Sequence, residues 1–137
     1  MSMDIYKGWP LDGAINDNAK PKDGEDVIAG MVITKDANGE LVKAVGAANE
    51  IEFFALENQQ DFVVSQAKSM AYIVKNAIVL TDQYDTSKVY AYGIPVKVDS
   101  TNPGKLTPWT SGDTEPIFGY SDGKVTRDSV EYLKVII

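Results

Sequence analysis

The sequence from Val27 to Val45 reads Val27-Ile28-Ala29-Gly30-Met31-Val32-Ile33-Thr34, then Asp36-Ala37-Asn38-Gly39 after Lys35, then Leu41-Val42-Lys43-Ala44-Val45 after Glu40. Two apolar, β-branched runs flank a turn built of Asp, Asn and Gly, which predicts a β-hairpin. Residue type decides for sheet over helix, because Val, Ile and Thr lose side-chain freedom in a helix but pack well on a pleated surface. Asp36 and Asn38 also suggest a calcium loop. That loop needs a third oxygen ligand before its glycine and a Glu about six residues after it. Leu41 to Val45 occupy those places, so no metal is expected.

Downstream the same pattern recurs. Ile51-Glu52-Phe53-Phe54-Ala55-Leu56 reads as a strand. Between Gln59 and Leu80 the apolar spacing fits one helix or two strands, and the β-branched crowding at Ile73-Val74 and Ile78-Val79-Leu80 favours strands. The polar stretch Thr81 to Lys88 leads into one short helical turn over Val89-Tyr90-Ala91-Tyr92, capped by Gly93. Pro95 forbids a longer helix and opens the strand Val96-Lys97-Val98. Lys105-Leu106-Thr107, Pro116 to Tyr120 and Val130 to Ile137 follow as further strands separated by loops. Short strands at this spacing predict a mainly β fold, a small β-sandwich or barrel-like domain with one short helix. In the last strand Val130, Tyr132, Lys134 and Ile136 share one face, and Glu131, Leu133, Val135 and Ile137 the other. It reads as a final core strand or as a subunit-contact strand.

Upstream, residues 1–26 are rich in Asp, Asn, Lys, Gly and Pro, with isolated apolar residues at Ile5, Tyr6, Trp9, Leu11 and Ile15. Such a stretch cannot build its own core. It reads as an extended or flexible N-terminal arm before a single β-rich domain, 27–137. Trp9, followed by Pro10 and Leu11, is an aromatic anchor of the kind that carries interface energy. A disordered leader and an arm that orders on binding both fit. Nothing in Met1 to Lys7 has the cationic and apolar regions of a secretory signal, so export is not expected.

With 137 residues, 44% hydrophobic and 24% charged, the composition is that of one globular domain. The net charge is −7 and Arg127 is the single arginine, which argues against a nucleic-acid partner, since displacing counterions from phosphate takes a basic footprint. Anionic membranes would repel it too, and no apolar run reaches the roughly 18 residues of a span.

The chain has no His and no Cys. That removes the usual general base, both familiar nucleophile–base pairs and thiolate or imidazole metal ligation. Asp82 and Asp85, flanking Tyr84, are the best-spaced carboxylates for acid–base work, but Asp in a polar turn ordinarily caps the backbone. No glycine-rich phosphate cradle occurs. Tyr84, Tyr90, Tyr92, Trp109, Phe118 and Tyr120 fit either a sugar-stacking face or half-buried packing. The expectation is a binding protein, not an enzyme, with no catalytic residue, metal or cofactor.

From Gly30 onward the chain resembles the capsid decoration, or cement, proteins of tailed bacteriophages. The resemblance lies in the early strand with its Gly turn, Thr81-Asp82-Gln83-Tyr84-Asp85, Tyr92-Gly93-Ile94-Pro95-Val96-Lys97-Val98, Gly104-Lys105-Leu106-Thr107, Ile117-Phe118-Gly119-Tyr120-Ser121 and the apolar terminal strand. It implies a β-rich structural protein of the virion, made in the bacterial host cytoplasm. Such a protein binds the outside of the major capsid protein lattice, as a dimer or trimer, and stabilises the head. It also implies an arm reaching across capsid subunits, which makes Ile5, Tyr6, Trp9 and Leu11 the expected capsid contacts, with Ile136 and Ile137 as capsid or subunit contacts. The competing readings are a carbohydrate- or receptor-binding module of a phage fibre, another head or tail component, and a carboxylate-only enzyme.

Overall fold

In a computed structural model of the chain, the residues described are 3–5, 15–59 and 69–137. Among the described residues eleven strands form two antiparallel sheets: β1 (Met3–Ile5), β2 (Ile15–Ala19), β3 (Val32–Lys35), β4 (Leu41–Lys43), β5 (Phe53–Ala55), β6 (Met70–Lys75), β7 (Ile78–Thr81), β8 (Pro95–Val98), β9 (Leu106–Pro108), β10 (Gly119–Arg127) and β11 (Val130–Ile136). The order is β1-β7-β11-β10-β8-β9 in one sheet and β2-β6-β5-β3-β4 in the other.

One core lies between them. Val32, Phe54 and Ile73 of the five-stranded sheet meet Val79, Val96, Val98, Leu106, Leu133 and Val135 of the six-stranded sheet, all fully buried. Of the sandwich and barrel-like alternatives read from the sequence, this is the sandwich. A second cluster, Ile33, Leu41, Ala55, Met70 and Tyr72 with Val27, lies on the other face of the five-stranded sheet, which is therefore buried on both sides.

The hairpin forms, but only from Val32: Ile33 pairs with Lys43 and Lys35 with Leu41. Asp36 Oδ1 accepts the amides of Asn38 (2.9 Å) and Glu40 (3.0 Å), and Gly39 takes φ 76°, so this carboxylate closes a turn. Val27, Ala29, Gly30 and Met31 are buried without forming a strand, and Ile28 between them is exposed. Gln59 Oε1 accepts the Val27 amide (3.0 Å), Asn58 Oδ1 the Ala29 amide (2.7 Å), and the buried Thr81 hydroxyl donates to the Gly30 carbonyl (2.7 Å). Side chains distant in the sequence, two from the segment after β5 and one from β7, thus supply the bonds that a ladder would otherwise make.

The ambiguous 59–80 stretch yields β6 and β7 as strands, in different sheets; 60–68 lies outside the described residues. They meet at a corner where Asn76 adopts φ 63°. The corner is held by the C-terminus: Asn76 N donates to Ile137 O (3.0 Å) and Ile137 N to Ala77 O (2.9 Å).

The short helix expected at Val89 to Tyr92 does not form, and no α-helix occurs among the described residues. The Asp85 carbonyl that a helix would use accepts the Tyr90 hydroxyl instead (2.8 Å), while the Asp85 carboxylate binds the amide (3.0 Å) and hydroxyl (2.6 Å) of Ser87. Burying the Tyr90 ring edge-on against Tyr84, centroids 5.4 Å apart, outweighs local propensity. Gly93 still takes the left-handed conformation, φ 85°, in a turn. The strand expected from Pro116 begins at Gly119 and runs nine residues.

Candidate interaction surface

The six-stranded sheet packs one face on the core, and its other face is where the chain departs from the usual alternation of apolar inside and polar outside. In β11 the inward residues Leu133 and Val135 are fully buried. The outward row is Val130, Tyr132, Lys134 and Ile136, three of the four apolar, with Val130 37% and Ile136 39% exposed.

Register extends this row into the neighbouring strands. Ile136 lies opposite Tyr120 of β10 and Ile78 of β7, and Tyr120 lies opposite Pro95 of β8. Further along the hairpin Tyr132 lies opposite Val125, and Val130 opposite Arg127. A bulge between Ser121 and Lys124, with Gly123 at φ 86°, turns β10 so that Tyr120 and Val125 both face outward. Two apolar patches result: Pro95, Tyr120 and Ile136 over the body of the sheet, and Val125, Val130 and Tyr132 on the projecting hairpin. Between them Lys134 Nζ lies 3.2 Å from Asp122. Toward β1 the face closes over, since Leu80 is fully buried.

The hairpin is fastened from beneath. Lys124 Nζ sits 5.4 Å and 5.6 Å from the centroids of Tyr84 and Tyr90 and 3.3 Å from Glu131. The Tyr84 hydroxyl donates to the Glu131 carbonyl (3.1 Å), and burial pushes the Tyr84 pKa up to about 12.

Ile5 pairs with Val79 at the sheet edge; Tyr6, Trp9 and Leu11 lie outside the described residues. Ile136 faces outward and Ile137 packs half-buried against the core. The fold nonetheless brings the described candidates together. Ile5 and Ile136 both neighbour β7, Ile137 is bonded to the β6–β7 corner, and Ile15 lies opposite Lys75 at that corner.

Of the six aromatics, Tyr84 and Tyr90 are buried, Phe118 stacks on Phe54 (centroids 6.3 Å apart) and Trp109 Nε1 donates to the Glu115 carbonyl (3.1 Å). Only Tyr92 and Tyr120 among them are exposed, at 78% and 48%, so the six form no common stacking face.

Two acidic places remain. A polar hollow of about 240 Å³ is lined by Tyr84, Asp85, Thr86, Asp99, Asn102 and Lys105. Hydrogen bonds hold both its carboxyls below the usual range, those from Ser87 to Asp85 and those from Asn102 and Thr101 to Asp99. Ionised and already hydrogen-bonded, neither is poised to donate a proton. A shallow cleft of about 400 Å³ lies beside Thr34, Ala47, Ala48, Asn49, Ile51 and Phe53. At its rim Glu50 accepts the amides of Gly46 (2.9 Å) and Val45 (3.2 Å). Burial, and then the neighbouring Glu50, raise the Glu52 pKa to about 8, and Glu52 Oε2 has no hydrogen-bond partner. Among the described residues no group of three or more acidic side chains is placed to hold a metal ion.

No family model, curated protein or solved structure matches the chain. The sequence signal for the outer face was the final strand itself, apolar on both sides. Its partners Tyr120, Ile78 and Pro95 carry no local signal, because cross-strand register alone aligns them.

Proposed function

We propose that the chain is a structural decoration (cement) protein of a tailed-phage head, binding the outer surface of the major capsid lattice and stabilising the shell. The observation that carries this reading is the convergence at one end of the sandwich of Ile5, Ile15, Ile136 and Ile137 around the β6–β7 corner. Tyr6, Trp9 and Leu11, between Ile5 and Ile15 in the sequence, are the further capsid contacts of this reading. An adhesive end on a sandwich needs no reactive group. The excess negative charge keeps the free protein soluble, and lattice symmetry multiplies modest contacts by copy number.

The test is co-sedimentation with undecorated heads of the phage that encodes the protein, counting copies per shell. Saturation at a fixed multiple of lattice sites is expected, with loss of binding on Trp9→Ala while the unfolding midpoint stays unchanged. Absence of binding at micromolar protein would overturn the proposal and bring forward a glycan- or receptor-binding module, in which the exposed Tyr92 and Tyr120 become the contact residues.

A further inference from the structure

We infer that Asn38 is a self-modification site, where the Gly39 amide displaces ammonia from the Asn38 side chain at a rate that Asp36 holds down. Asn38 is the only asparagine of the chain followed by glycine. The others precede Ala, Asp, Glu, Gln or Pro, whose side chain or ring crowds the attacking nitrogen, whereas glycine has no Cβ.

The fold leaves this pair open. Ala37, Asn38 and Gly39 are exposed at the tip of the β3–β4 hairpin, and nothing lies within 4 Å of where a Gly39 Cβ would stand. Among the described residues the Asn38 carboxamide has no hydrogen-bond partner, and only its backbone amide is held. The Asp-Gly pairs at Asp23 and Asp122 are poorer sites, since a carboxylate resists nucleophilic attack, and Asp122 is also ion-paired with Lys134 (3.2 Å).

The reaction needs only water. The Gly39 nitrogen gives its proton to water or hydroxide and forms a bond to Cγ of Asn38, and the carboxamide nitrogen takes up a proton and leaves as ammonia. Water then opens the five-membered imide at either carbonyl, leaving aspartate or isoaspartate at position 38. One water enters, one ammonia leaves, and nothing is oxidised or reduced.

Asp36 is the brake. Its carbonyl accepts the Gly39 amide (3.0 Å), and its Oδ1 accepts those of Asn38 (2.9 Å) and Glu40 (3.0 Å). Ring closure swings the Asn38–Gly39 peptide and requires a free Gly39 nitrogen, so these bonds must open first. Bonds to a charged acceptor of this kind slow the reaction about tenfold or more.

The product alters the sheet edge. Isoaspartate adds one carbon to the main chain in a turn whose length sets the pairing of Lys35 with Leu41. β4 is an edge strand with β3 as its ladder neighbour, and its Leu41 is fully buried in the second cluster. The added carbon therefore loosens that edge, and the new carboxylate makes the net charge of −7 one unit more negative.

The test uses the full chain alone, so its outcome is independent of capsid binding. Protein is held in mildly alkaline buffer, folded and in urea, and the tryptic peptide 36–43 is followed by mass and by isoaspartyl methylation. Expected are conversion in this peptide before any other, a rate about tenfold or more higher in Asp36→Ala, and a near-native rate in Asp36→Asn, which keeps an oxygen for both amides. Aged protein should also unfold at lower urea than fresh protein. Circular dichroism checks each fold; should Asp36→Ala unfold, the ratio of rates for the native chain in and out of urea measures the same brake. Another asparagine reacting first, or no isoaspartate in the folded chain once the unfolded chain is fully converted, would overturn the site. A native rate in folded Asp36→Ala, or a native chain as fast folded as in urea, would overturn the role of Asp36.

Discussion

Replacing Glu52 with Gln should stabilise the protein, and only above the ordinary pH range of carboxyl titration. In the fold Glu52 has a pKa of about 8, against 4.5 for the free side chain, because burial and Glu50 both oppose its charge. A group whose folded pKa is raised favours the folded state fully while it is protonated in both states. That contribution falls as pH rises from the unfolded value and is exhausted once the folded value is passed. The shift taken whole corresponds to a ceiling of about 5 kcal/mol. Glu52 is only partly buried, and solvent screening reduces the realistic figure to about 1–2 kcal/mol.

Gln keeps the shape and the hydrogen-bonding capacity but never ionises. Urea unfolding of both proteins across pH should therefore show equal stability near pH 4 and an advantage for Glu52→Gln that grows through about pH 5–8 and then levels off. The readout is the difference between the two proteins, because the other carboxylates cancel in it. An advantage independent of pH, or a loss of stability at about pH 9, would refute the assignment of a raised pKa to this carboxyl.

Three further substitutions probe the packing. Gly119→Ala should cost about 3 kcal/mol in denaturant unfolding, since a Cβ would sit 2.5 Å from the Ile136 carbonyl and 2.8 Å from both Val135 Cγ1 and Ile137 Cγ2. Thr81→Val keeps the volume but strips the buried Gly30 carbonyl of its 2.7 Å hydroxyl partner; the expected loss is about 1–3 kcal/mol, read as a lower thermal midpoint. Ser129→Gly should raise stability by about 1 kcal/mol in the same assay, because Ser129 holds φ 66° beside Asp128 at φ 50° in the two-residue β10–β11 turn.

That turn shows where sequence reading stops. Both its central residues take positive φ, the requirement of a primed hairpin turn, yet Asp128-Ser129 lacks the glycine that advertises one. Ser121-Asp122-Gly123 looks like a loop and is a bulge inside the longest strand, its Gly123 amide closed on Ser121 Oγ (3.2 Å). Val89 to Tyr92 reads as a helical turn because local rules do not know that Tyr90 will reach the core and take the Asp85 carbonyl.

The sequence by itself determined the mainly β class and the strands downstream of residue 26. β-branched runs punctuated by Gly, Pro and Asp can satisfy their backbones only as a sheet. The absence of His and Cys removed imidazole and thiolate chemistry before any fold was known. The final strand, apolar on both faces, read as a core strand or as a subunit-contact strand. Only the tertiary structure decided which residues share a surface. It sends β6 and β7 to different sheets, brings Ile5, Ile15 and Ile137 to one corner, and aligns Pro95, Tyr120, Ile136 and Ile78 across four strands. The physical reason is that strand register and burial are fixed by pairing between segments far apart in the chain, where periodicity within any one segment carries no information.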